Sequence, residues 1–517
     1  MRMHRSIVGA AIIATLGMLT TAGEAAAEPI PLEIGRDTTV LEGPLRDDGT
    51  VDYVGALNKK FSAGVTPENN AYAVIAQLIP PKTWPSEAYR RKQFELLGIK
   101  MPADDATYLS KGRWAVPGFD DRDHLAFGGQ WDLARDNWYL WRPERIPNVI
   151  EYLAQHKEML DRLVAGIQRE RFWRPIVVAD GDDGLALTHP NLSGVRHAFV
   201  ILSVRARHRI HEGELDAAIE DILALKQLSR HMHTAPLLVE HLTGMASASY
   251  ATQRIVELAG QEALTAEQAR GLKEKLAAME QRLSIERAFL FGDRMNLLDL
   301  VQRQFGMEDV LRDDPRLDHL FRYHFDRNHA LRRVNAYTRD ILAGLRAETP
   351  QQRWAQLEQL GDTVQQRVKH YDKPLFWTAI TLSLLQQDQA QRSQTLADLM
   401  LNQLIARMVP SIDRNSDVVD QVQMYEQLER VALAVGGYRA VTGQYPQSLD
   451  DLVPEWMDAV PVDIYDPDGA TIRYRVEGDR VTLYSVYRNG EDNGADLNAR
   501  RVDLMVTWPP AEADKAE

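Results

Sequence analysis

Cysteine is absent from all 517 residues. That excludes disulfides, thiolate nucleophiles and cysteine-ligated zinc. Long apolar runs are missing beyond the amino terminus. Leu375 to Leu385 comes nearest and falls short of the ~20 residues a membrane span needs. A surplus of basic charge is also missing: 60 Lys and Arg stand against 74 Asp and Glu, a net charge of −14. Such a balance argues against nucleic acid and anionic membrane surfaces as partners. No Gly-rich phosphate loop, Gly-x-Ser-x-Gly elbow or Ser-x-x-Lys setting stands out, so the common sequence marks of phosphoryl and acyl transfer are lacking.

The amino terminus sets an expected compartment. Arg2, His4 and Arg5 form a basic start, and Ile7 to Leu19 is apolar. Ala25-Ala26-Ala27 offers small residues for cleavage before Glu28. This is the pattern of a signal peptide over residues 1–27; an uncleaved anchor is the alternative. The protein is therefore expected to be periplasmic or secreted, with no membrane span in the mature chain.

The remainder divides into three blocks. Residues 28–64 read as an extended lead-in with one short helix near Tyr53 to Phe61. Residues 65–412 read as a helical body, and residues 413–517 as a separate α+β module. Thr66-Pro67-Glu68 looks like a helix start: an N-cap, a proline at N1 and an acid. One helix is expected near His197 to His211 and a second over Leu215 to Met232, joined at Glu212-Gly213-Glu214. Ala218, Ile222, Leu225 and Leu228 recur at helical steps. The expected class is mainly α: an irregular or repeat-like helical array followed by a long helix packed on a small antiparallel sheet.

Candidate chemistry in the body has bland competitors. His208 and His211 sit three apart, and His231, His233 and His241 follow with Glu240. A histidine pair at that spacing can share a metal, but Arg205, Arg207 and Arg209 surround the first pair and repel a cation. Trp84, Trp114, Trp131, Trp138, Trp141 and Trp173 are interleaved with Asp120, Asp121, Asp123, Asp132 and Asp136. Stacking faces plus paired acids are what a glycan-cleaving cleft needs; core packing explains tryptophans equally. Glu286, Arg287, Asp293, Arg294 and Asp299 fall on one helix expected over Thr265 to Gln304. They read as a buried ion network or an active site.

The last block is the most informative. Val418, Val422, Tyr425, Leu428, Ala432, Val435 and Tyr438 form one helical stripe. Gly443 suits the residue just past the helix end, and Pro446 prevents continuation. Ile472, Tyr474 and Val476 alternate as a strand, Gly478-Asp479 fits a tight turn, and Val481 to Tyr487 returns. Val502, Leu504, Val506 and Trp508 alternate again. With Tyr445-Pro446, Pro461-Val462-Asp463 and the loop Asn489 to Gly494, this order resembles the globular head of the major pseudopilins of type II secretion. That resemblance implies a pilin-like fold and a calcium-binding loop. The loop offers hard oxygens at Asn489, Glu491, Asp492, Asn493, Asp496 and Asn498, with Asp503 at the next strand. The expected calcium ligands are Asn489, Glu491, Asp492, Asp496 and Asp503. Tyr487 and Asn489 depart from the family pattern, so a solvated turn without metal stays open.

Asp52 to Asn58, Gly64 to Asn70, Gly213 to Ala218 with Leu223 to Leu225, and Gly292 to Arg294 with Leu298-Asp299 add a wider resemblance. They are similar to stretches in a family of large exported bacterial proteins that join a helical body to such a module. That resemblance implies the architecture and brings no activity. Three functions follow as expectations. The first is a non-catalytic exported scaffold or binding protein of the cell envelope, with an envelope or secretion protein as partner. The second is a periplasmic or secreted hydrolase acting on glycan or peptide. The third is a component of a type II secretion or pilus-like machine.

Overall fold

The computed structural model describes residues 30–104, 106–109, 143–178, 192–280, 283–303, 325–371, 373–495 and 503–508. The proposed signal peptide and the tryptophans from Trp114 to Trp141 lie outside these residues. The chain is mainly helical, with one small three-stranded antiparallel sheet near its carboxyl end.

Helix α1 (Tyr53–Phe61) starts where Asp52 accepts a hydrogen bond from the Gly55 amide at 2.9 Å. The start read at Thr66-Pro67 is instead a turn, in which Asn69 accepts from the Thr66 amide at 2.8 Å. Helix α2 (Ala71–Gln77) begins five residues after Thr66, at the cap Asn70. The reason is tertiary. The Asn70 amide also exchanges hydrogen bonds with the Trp173 backbone, at 2.8 and 2.9 Å, so the cap belongs where that segment passes. Helices α3 (Glu87–Leu97), α4 (Pro147–Gln155) and α5 (Lys157–Ile167) follow.

Helices α6 (Ser193–His211) and α7 (Leu215–Thr234) form the expected hairpin. Gly213 turns it with φ +78°, a conformation that glycine adopts without steric cost. Helix α8 (Leu238–Ala259) packs against both. The helix expected over 265–304 is broken. Helix α9 (Ala266–Ala278) ends, and Leu283 and Ile285 turn into a core, where the Leu283 carbonyl accepts from Gln423 at 2.9 Å. Helix α10 then runs from Glu286–Ala288 through a π-helical turn, Phe289–Asp293, to Arg294–Arg303. Helices α11 (Arg327–Leu345), α12 (Pro350–Val368) and α13 (Pro374–Gln386) complete the body.

Helix α14 (Gln389–Thr442) is 54 residues long. Asp388 and Gln391 form its capping box, and Gly443 ends it in the left-handed region, as a C-terminal glycine should. The boundary expected at 412/413 falls inside this helix. Strands β1 (Arg473–Glu477), β2 (Arg480–Ser485) and β3 (Leu504–Trp508) pair in that order. The Glu477–Arg480 pair closes the hairpin at Gly478-Asp479. Ile472 is buried and Tyr474 half-buried, but Val476 is 37% exposed. The stripe therefore fades along β1, an edge strand of the sheet.

The head and the body share one core. Leu428, Val431 and Val435 of α14 and Leu483, Leu504 and Trp508 of the sheet join Ile255 and Leu258 of α8 and Leu272 of α9. Trp508 is 1% exposed and seats over Gly260 at the end of α8. The approach is close enough to select residues. A Cβ at Gly436 would lie 2.6 Å from the Ala259 carbonyl oxygen, and one at Gly437 would lie 2.2 Å from the Trp456 ring. Further clusters fill the amino-terminal half and the space between α10, α11, α12 and α14. A small satellite cluster lies between α13 and α14.

Candidate functional site

The polar centre of the head is Asp463, which is 1% exposed. Its Oδ1 accepts from the Tyr465 amide at 3.0 Å and the Ser485 hydroxyl at 2.7 Å. Its Oδ2 accepts from the Val486 amide at 2.9 Å and Arg473 Nη1 at 2.7 Å. A carboxylate this well supplied with donors is stable when buried. Arg473 also donates to Asp466 and lies 3.5 Å from Asp492. Its hydrogen bond holds the Asp466 carboxyl below the usual carboxylate range. One guanidinium thus ties the segment after Pro461 to the loop after Tyr487.

That loop carries most of the expected calcium ligands. Asn489 accepts from the Glu491 amide at 3.3 Å, and Asp492 accepts from the Gly494 amide at 2.9 Å. Asp503, at the entry to β3, is 3% exposed. It accepts from the Ala495 amide at 2.8 Å and from Asn493 Nδ2 at 3.2 Å. Asn489, Glu491 and Asp492 therefore share one loop, and Asp503 closes its base. Asp496 and Asn498 lie outside the described residues. The donors are the hard oxygens calcium takes, although Asp492 also faces Arg473. Among the described residues, no three His, Asp or Glu converge in a way that could hold an ion.

Sequence reading gave Asp463, Asp466 and Arg473 no role. Asp463 appeared only inside the Pro461-Val462-Asp463 resemblance. The usable signal was an acid pair three apart, ten residues before an arginine on an alternating strand.

The body uses its charged residues as helix ties. Arg205 pairs with Asp221 at 2.5 Å and with Asp161 at 2.9 Å. Arg254 and Arg207 lie 2.9 and 3.3 Å from Glu257, and His211 Nε2 lies 3.0 Å from it. Burial alone would raise the Glu257 carboxyl; Arg254 and Arg207 outweigh it and hold the group at about 2. Lys226 of α7 contacts Glu429 of α14 at 2.6 Å. Three further histidines meet backbone carbonyls: His231 with Ile167, His233 with Ser229 and His241 with Ala235, at 2.9, 2.7 and 2.9 Å. Burial lowers all three below the usual imidazole value. These rings are placed as packing residues.

The charged set on α10 is dispersed. Asp299 meets Arg46 at 3.1 Å, Arg294 meets Asn335 at 2.9 Å, and Glu286 pairs with Arg346. Asp293 sits in the π turn with Oδ2 buried and unpartnered among the described residues. Burial pushes its carboxyl up to about 7. Of the tryptophan set, Trp84 and Trp173 are buried in the first core.

Open spaces also mark the body. A groove of about 610 Å³ lies between α5, α6, α7 and α9, with Val164, Leu223 and Met279 beside Asp161 and Arg205. A cleft of about 1100 Å³ is lined by Met101 and Met159 with Glu87, Lys100, Asp104 and Arg162.

A long helix running into a small antiparallel sheet, with a polar loop before the last strand, is the α+β arrangement expected for this part of the chain. Similarity to a known protein covers a short region. A stretch of 83 residues is 34% identical to the type II secretion system core protein G of Xanthomonas campestris pv. campestris. It covers 14% of this chain and 58% of that protein, less than two thirds of its length. No family model and no solved structure matches the chain.

Proposed function

We propose that this chain is a non-catalytic exported scaffold or binding protein of the cell envelope, whose pilin-like head meets a secretion or pilus-like machine. The observation that carries this reading is α14 running into the β1–β3 sheet, taken with the similarity to a secretion core protein. In this reading the 83 similar residues are the end of α14 and the sheet. Body helices α8, α9 and α12 pack along α14, which suits a docking head held by a body better than a subunit that polymerises through a free helix. The groove beside Val164 and Leu223 supports a second binding surface on the body. The same similarity favours a closer role, as a component assembled with the machine itself.

Calcium belongs to this proposal. Asn489, Glu491, Asp492, Asp496 and Asp503 would hold the ion. It would neutralise the loop's acids and pin the loop to β3.

The test is recovery of the tagged chain from envelope extract of its own host. Enrichment of pseudopilin-type proteins over an untagged control is expected. Their absence, with both proteins present in the same fraction, would remove the secretion reading.

A further inference from the structure

The break between α9 and α10 borders a cavity of about 190 Å³. Its walls come from the break itself, the end of α11, the start of α12 and the middle of α14. One part of the lining is aliphatic and buried: Leu283, Ile285, Leu345 and Val419. The other part is polar, with Arg353 and Asp420 buried, and with Glu286 half-buried beside an exposed Arg346. That second pair marks the mouth.

The polar lining has capacity left over. Ser416 is 2% exposed, lines the cavity, and makes no hydrogen bond among the described residues. A buried hydroxyl facing open space needs a ligand or water to satisfy it. Arg353 donates to the Ala347 carbonyl at 2.9 Å and to Asp420 at 2.7 and 3.4 Å, which leaves N–H donors over on its guanidinium. Gln423 gives its Nε2 to the Leu283 carbonyl at 2.9 Å, leaving Oε1 to accept. Glu286 accepts from Arg346 Nε through Oε1 at 2.8 Å, leaving Oε2.

The two ion pairs cancel, so the lining has no net charge while it offers both donors and acceptors. That selects a zwitterion over a simple cation or anion. No aromatic ring lies among the described lining residues, so the stacking face that sugar rings use is missing. A cavity of about 150 Å³ accepts a ring of six carbons. On that scale this one suits a molecule of roughly eight non-hydrogen atoms. We propose that the cavity binds a free α-amino acid with an aliphatic side chain, of about the size of valine. Its carboxylate meets Arg353 and Ser416, its ammonium meets Glu286 and Gln423, and its side chain lies against the aliphatic wall. The inference does not depend on the secretion reading, and either can fail alone.

The test is isothermal titration of the full chain with three probes: L-valine, L-valinamide, which lacks the carboxylate, and isovalerate, which lacks the ammonium. Saturable binding of L-valine is expected, about tenfold or more tighter than that of either analogue. Ser416→Ala should weaken L-valine binding about tenfold. Glu286→Gln should narrow the gap between L-valine and isovalerate. Without ligand, both variants should melt at the parent's temperature, because Ser416 loses no protein partner and the Glu286–Arg346 pair lies at the surface. Should Ser416→Ala fail to fold, the Glu286→Gln comparison decides alone. No binding of L-valine, equal binding of the analogues, an unchanged gap in Glu286→Gln, or parent-like binding by Ser416→Ala would overturn the proposal.

Discussion

Replacing Gly436 by alanine should destabilise the protein, against the helix-propensity rule. Alanine is better than glycine by about 1 kcal/mol inside a helix, and Gly436 lies inside α14. The new Cβ would lie 2.6 Å from the Ala259 carbonyl oxygen and 3.1 Å from its Cα. These are backbone atoms in a buried contact, so no side-chain rotation relieves the overlap. Overpacking of this kind costs about 1–3 kcal/mol, and a rigid obstacle puts it at the upper end. The expected balance is a net loss of about 1–2 kcal/mol. Gly271 in α9 is the control, because a Cβ there meets nothing within 4 Å. Gly271→Ala should stabilise by about 1 kcal/mol. Urea unfolding followed by tryptophan fluorescence reports on this core, which holds Trp354, Trp456 and Trp508. Midpoints moving in opposite directions at constant slope are expected. If Gly436→Ala stabilises as Gly271→Ala does, α14 and α8 do not meet there, and the shared core is wrong.

Saturating calcium should raise the melting temperature, magnesium should raise it less, and Asp503→Ala should reduce the shift; identical curves in calcium and chelator would remove the ion. Asp293 has its carboxyl raised from 3.8 to about 7, so the fold binds the extra proton and loses stability as pH rises across that window. Asp293→Asn should therefore raise the melting temperature at pH 8 and leave it unchanged near pH 4. Glu257→Gln should cost about 3–5 kcal/mol at neutral pH, because Arg207 and Arg254 would stay buried with their shared partner gone. Glu257 is held down from 4.5 to about 2, so its contribution is full above the higher value and fades towards the lower one; a parent melting temperature unchanged across that window would refute this.

Much of the architecture was legible because it rests on local rules. Val422, Leu428 and Val435 announced a helix face, Gly443 its end, and Gly478 the hairpin turn. The α6–α7 hairpin followed from Gly213 and the apolar steps of Ala218 to Leu228. What stayed hidden depends on distant partners. Pro410 normally breaks a helix, yet α14 continues through it back to Gln389. Gly436-Gly437 marks a close approach to Ala259 and Trp456, which no local pattern shows. Asp463 has meaning only once Arg473, Ser485 and Val486 are beside it. The break between α9 and α10 follows from the core that takes Leu283 and Ile285. The loop residues Asn489 to Asp492 stood out in sequence, because a run of Asn, Gly, Glu and Asp has no place in a core.

The most direct measurement is an isothermal titration of the purified full chain with the soluble head of its host's major pseudopilin, in calcium. Saturable binding is expected, weakened when Val462, exposed on the head beside Asp463, is changed to aspartate. No heat of binding at concentrations where both proteins are folded and monodisperse would contradict it.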